Sequence, residues 1–149
     1  DLASAPQGKA PVFMVSALKD PNEANLDRVQ IVKGWLDAQG NVRETTYDVA
    51  LSDGRSVGAD GKVPPVGNTV DIKTATYTNT IGDSELIAVW TDPEFDPALR
   101  AFYYVRVLQI PTPRHSLYDA IALGMDPKDT GHPATIQERA YSSPIWYTP

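Results

Sequence analysis

The side chains that could do chemistry in this chain are few and far apart. His115 and His132 are the only histidines. They lie too far apart for a short ligand motif, and a catalytic zinc usually takes three protein ligands. No HxH or HExxH arrangement is present, so no metal is expected to be held by this chain itself. Asp92, Glu94 and Asp96 alternate like the opening of a calcium loop. An EF-hand needs Gly at its sixth position and Glu at its twelfth, and counting from Asp92 those places hold Pro97 and Tyr103. A solvated turn is the expectation, because Asp-Pro steps form turns. Ser116 stands beside His115, but adjacent residues rarely present both side chains to one substrate atom, and Ser116 is placed to cap a helix. There is no nucleophile elbow, phosphate-binding Gly loop or dinucleotide fingerprint. Trp35, Trp90 and Trp146 could stack on sugar rings if exposed; core positions are the ordinary place for such residues.

Composition narrows the partners. A chain of 149 residues is the usual size of one domain and buries roughly 70% of its unfolded surface. Nineteen acidic against thirteen basic residues give a net charge of −6, which repels nucleic acid and anionic membranes on average. No apolar run approaches the roughly 20 residues that cross a bilayer. With no cysteine, disulfides, thiolate zinc sites and cysteine nucleophiles are excluded, while the redox compartment stays open. The chain starts at Asp1 without an initiator Met or a basic, apolar leader, and is expected to be a piece of something longer.

The elements that must position these residues are mostly strands. Residues 1–11 read as a linker, and residues 12–149 as one domain. Val12–Leu18 reads as a strand, and Leu26–Leu36 as a half-buried one with Val29, Ile31 and Trp35 opposite Arg28 and Gln30. The loop Ala38–Asn41 joins it to an alternating strand ending at Leu51, which predicts a hairpin. Ser52–Asn68, with four Gly and two Asp-Gly pairs, is a long loop. Strands are expected at Thr69–Tyr77 and Leu86–Trp90, as candidate neighbours. The segment Arg100–Pro111 is the organising strand, since eight of the ten residues from Ala101 to Ile110 are apolar. Phe102 and Tyr104 project to one side, Tyr103, Val105 and Val107 to the other, so both faces should be covered. Ser116–Gly124 reads as a short helix with a Ser116/Asp119 capping box. A last strand, Ile136–Tyr147, is interrupted by Pro144, which favours an edge or bulge. About seven strands and one short helix indicate an all-β fold, an antiparallel immunoglobulin-like β-sandwich.

The segments LDRVQIVKGWLDAQG, VGNTVDIKTATYTNTIGDSELIAVWTDPEFDPALRAFYYVRVLQIPTPRHSLYDAIALG and ERAYSSPIWYTP resemble the C-terminal part of the bacterial domain-of-unknown-function 3604 family. The resemblance runs from about Val12 to the last residue. It implies a longer parent whose N-terminal region is similar to metal-dependent hydrolases of the PHP (polymerase and histidinol phosphatase) superfamily and carries an HxH metal motif. None of that motif is in this chain, so a divalent metal is expected only in the N-terminal domain.

The resemblance further implies an exported, periplasmic or secreted protein, and phosphoester hydrolysis as the parent's chemistry. On this reading the chain is a structural and interface domain, not catalytic alone, partnered by the metallohydrolase-like domain of the same protein. Arg114, whose guanidinium could clamp a phosphate, and His115 are the candidates for lying near substrate at that interface. Trp35, Trp146 and Tyr147 are the candidate aromatic contacts. An independent carbohydrate- or protein-binding module is the alternative, and would line a groove with exposed Trp side chains. An enzyme complete in itself would instead hold His115 in a pocket with at least two carboxylates.

Overall fold

The computed structural model describes Leu2 and residues 9–149. Nine strands and one helix follow in chain order: β1 (Val12–Leu18), β2 (Leu26–Leu36), β3 (Val42–Leu51), β4 (Glu85–Thr91), β5 (Ala101–Gln109), β6 (Thr112–Pro113), α1 (His115–Leu123), β7 (Thr135–Ile136), β8 (Arg139–Tyr141) and β9 (Ile145–Tyr147). The linker expected over residues 1–11 falls largely outside the described residues. Leu2 forms a parallel bridge to Tyr147.

All strand pairs between these elements are antiparallel. β3, β2 and β5 form one sheet, and β8 and β9 both pair with the far edge of β5. The ribbon β1–β4 packs over it. The core between the two layers holds Val15 and Leu86 from the ribbon against Val29, Ile31, Ala101 and Tyr103 from the larger sheet. The fold is therefore a β-sandwich with one short helix.

Three expectations need correction. Thr69–Tyr77 is not a strand. Asn68 and Asp71 accept from the backbone N–H groups of Val70 and Lys73, 2.9 and 2.8 Å away, and Asp71 and Thr76 close a turn through Asp71 N–H to Thr76 O at 2.8 Å. Side-chain bonds of this kind compete with a ladder. The partner of β4 is accordingly β1, in register from Val12↔Thr91 to Leu18↔Glu85. β2 is not half-buried: it is flanked on both edges by β3 and β5 and is buried from Val29 to Gly34. The third correction is the capping box. Arg114 is the N-cap of α1 and caps nothing with its side chain, while Ser116 Oγ is buried without a partner among the described residues. The C-terminal end is as the sequence indicates, with Gly124 in the left-handed conformation at φ 67°.

The interrupted last strand is also as expected. β8 and β9 flank Pro144 at the sheet edge, and between them Ser142 Oγ accepts from Val105 N–H at 2.9 Å, so a side chain maintains the ladder across the break. The long loop 52–68 is held by Arg55, whose Nη2 contacts the buried Asp27 carboxylate at 2.6 Å. Gln137 donates to the same carboxylate at 2.9 Å.

Candidate functional site

Because side chains alternate along β5, Phe102 and Tyr104 stand on the outer face of the larger sheet. They meet Trp146 and Tyr141 from β9 and β8. The ring centroids of Trp146 and Phe102 are 5.2 Å apart, Phe102 and Tyr104 6.3 Å with planes within 10°, and Tyr104 and Tyr141 6.2 Å. Gly34 makes this possible. A Cβ there would lie 2.3 Å from the Phe102 ring, so the ring lies across the glycine of the neighbouring strand. Trp146 and Tyr141 remain 52% and 58% exposed. Toward the other end of the same face the surface turns polar. Arg106 Nε donates to Gln30 at 2.7 Å, and Gln30 donates to Asp48 at 2.8 Å. Arg28 reaches Asp48 at 3.4 Å. The network fixes these donors and acceptors beside the aromatic row.

At the end of the sandwich Trp35, Trp146 and Tyr147 line one cavity of about 380 Å³ with Gly34, Arg100 and Phe102. The structure thus brings the three aromatic candidates together around one opening, though on different terms. Tyr147 is buried, its hydroxyl donating to Pro97 O at 2.8 Å, whereas Trp146 is half open to solvent. The third tryptophan, Trp90, packs inside against Phe13 and Tyr47, so the tryptophans do not form a shared platform.

The opposite outer face, on β1–β4, is mostly apolar, with Ser16, Glu85 and Thr91 interspersed. Val12, Met14 and Leu18 of β1 and Ile87 and Val89 of β4 are between 55% and 77% exposed, and Met14 lies directly across from Val89. Beside it a groove of about 690 Å³ opens between β1 and β8, floored by Val15, Ala17, Leu26, Val105 and Val107. Among the described residues β1 pairs only with β4, so the groove is bordered by a sheet edge.

Arg114 and His115 sit apart from both faces, at the start of α1. His115 points to solvent and pairs with Asp119 at 3.1 Å. Among the described residues Arg114 Nε is buried without a hydrogen-bond partner and its side chain joins no ion pair. The two are not gathered with carboxylates into a pocket. His132 is exposed in the following turn.

The acidic triplet disperses. Asp96 accepts from Ala98 N–H at 2.8 Å, and the Glu94 carboxylate accepts from Tyr47 at 2.6 Å. Asp92 turns inward, where Lys33 Nζ lies 2.6 Å from its Oδ2 and Tyr103 donates to the same oxygen at 2.7 Å. Burial first, and then Asp92, push the Tyr103 phenol well above its ordinary range; burial and Glu94 do the same to Tyr47. No group of three or more His, Asp or Glu side chains among the described residues could hold a metal ion. Sequence reasoning passed over Lys33. The available signal was its parity, since it shares the inward face of Val29, Ile31 and Trp35, where an unpaired lysine is costly.

A sequence model of the family described as "Protein of unknown function (DUF3604)" matches residues 1–149. No curated protein and no solved structure matches the chain.

Proposed function

The chain belongs to the DUF3604 family, and we propose that it is the structural and interface domain of a PHP-like metal-dependent hydrolase, packing against the metal-bearing N-terminal domain of an exported, periplasmic or secreted parent. The observation that carries this reading is the mostly apolar face of β1–β4. Val12, Met14, Leu18, Ile87 and Val89 lie together and exposed, and contiguous exposed apolar surface marks an interaction site. Five large apolar side chains, with Ser16, Glu85 and Thr91 interspersed among them, suit a protein contact with an apolar centre and a few polar partners. The groove beside β1 extends the same surface. Arg114, whose Nε has no hydrogen-bond partner among the described residues, stands apart from that face at the start of α1 and is the residue we assign to the phosphate side of the parent's substrate, with His115 at the rim.

The test is recovery of the upstream coding sequence followed by expression of the long chain with Met14→Asp and Val89→Asp. The reading expects an HxH pair upstream, and expects the double variant to make this domain a protease-sensitive appendage of the parent. An upstream frame without the histidine pair, or a double variant as protease-resistant as the natural parent, would overturn it.

The aromatic row Trp146–Phe102–Tyr104–Tyr141 favours a second reading, a module that stacks sugar rings and bonds their hydroxyls through Arg106, Gln30 and Asp48. Titration with soluble polysaccharides, read by tryptophan fluorescence, separates the two: saturable quenching abolished by Trp146→Ala supports the module.

A further inference from the structure

The interior holds an ion pair that neither outer face uses. Lys33 on β2 and Asp92, just past the end of β4, are buried with side chains 4% and 0% exposed. Their contact spans the two layers of the sandwich. The surroundings are aromatic: Lys33 Nζ lies 5.1 Å from the Trp35 ring centre, and Tyr103 is packed against Phe13 at 4.8 Å. Both oxygens of Asp92 are held by donors. Tyr103 O–H and the Lys33 ammonium meet Oδ2, and Glu94 N–H meets Oδ1 at 2.9 Å. Lys33 is fixed from its other side by Glu94 O at 2.8 Å. A buried ion pair is costly to desolvate, and an amine fixed against a carboxyl in a water-poor site turns a bimolecular condensation into a unimolecular one.

We propose that Lys33 and Asp92 condense to an intramolecular isopeptide bond that staples β2 to the end of β4. One ammonium proton of Lys33 passes to Oδ2 of Asp92, and the freed amine lone pair attacks Cγ, forming the N–C bond. The oxyanion that develops on Oδ1 is received by Glu94 N–H, a preorganised donor of the kind that stabilises tetrahedral intermediates. A second proton leaves the nitrogen for the Oδ2 hydroxyl, the Cγ–Oδ2 bond breaks, and one water departs. Ammonium and carboxylate are thereby converted to amide and water with no oxidant, reductant or co-reactant. Tyr103 acts as a positioning residue; its phenol keeps its proton at neutral pH and so remains a donor to the oxygen that leaves.

The experiment is the intact mass of the purified full chain under denaturing conditions, followed by protease mapping. The expected mass is that of the sequence less one water, with one branched product joining the peptides that contain Lys33 and Asp92. Asp53-Gly54 and Asp60-Gly61 could also lose water by closing a succinimide, so Lys33→Arg is measured in parallel. It keeps the positive charge and lacks the nucleophilic amine, and should show the full mass of its sequence. The natural chain at its full mass, or a water loss equal in the Lys33→Arg variant and without a branched peptide, would overturn the proposal. The branched peptide is read from the natural chain, so the outcome does not depend on the variant's folding.

Discussion

On the β1–β4 ribbon, Val12, Met14, Leu18, Ile87 and Val89 stand up from the sheet with most of their surface in water. On the larger sheet, the outer side chains are aromatic and lie against one another, Phe102 crossing Gly34 and stacking toward Trp146 and Tyr104. Both faces carry surplus apolar surface, but only the second is organised within the chain. There the rings pack on neighbouring strands and Gln30 joins Arg106 to Asp48. The lesson is that an exposed face whose contacts are already satisfied contributes to the fold, whereas one without contacts contributes to whatever it meets.

Substitutions can break that contrast. Gly34→Val should have the largest effect, because its side chain must displace the Phe102 ring from 2.3 Å; a loss of about 1–3 kcal/mol is expected, measured by urea unfolding with tryptophan fluorescence. Gln30→Leu should cost about 1 kcal/mol, since it removes bonds to both Arg106 and Asp48. Equality with the natural chain would show that the polar network adds nothing. Met14→Asp with Val89→Asp sets two carboxylates opposite each other across the strand pair and should cost the chain alone no more than about 1 kcal/mol; a larger loss would mean that the ribbon face already has an intramolecular role.

The smallest effect is expected from pH. Hydrogen bonds from the Asn41 side chain and backbone, with Arg43 and Gln39 adding to them, lower Asp37 from 3.8 to about 2. Its folded value lies below its unfolded one, so its contribution is present above about 3.8 and is lost as pH falls toward about 2. Asp37→Asn should flatten that part of the acid unfolding curve, and should do so modestly because the site lies at the surface, where solvent screens it.

Much of the architecture was legible from residue pattern. β3 runs to Leu51 as its alternation indicates, the β2–β3 hairpin closes over Ala38–Asn41, and Pro144 splits the last strand. Each of these rests on a local cause: period-two alternation, turn chemistry, a missing N–H. Thr69–Tyr77 failed because Asn68 and Asp71 offered its backbone nearer partners than a strand could. Of the candidate residues, Trp35, Trp146 and Tyr147 share one cavity, while Arg114 and His115 stand apart at the helix start.

By itself the sequence determined that this chain forms short antiparallel strands around one core, because alternation and turn residues act within a few positions of themselves. Only the tertiary structure decided that β2 is enclosed on both edges, that Lys33 meets Asp92 across the core, and that one outer face is tiled while the other is bare. Those outcomes depend on which strands become neighbours, and a side chain's burial and partner are set by groups distant in sequence that no local pattern encodes.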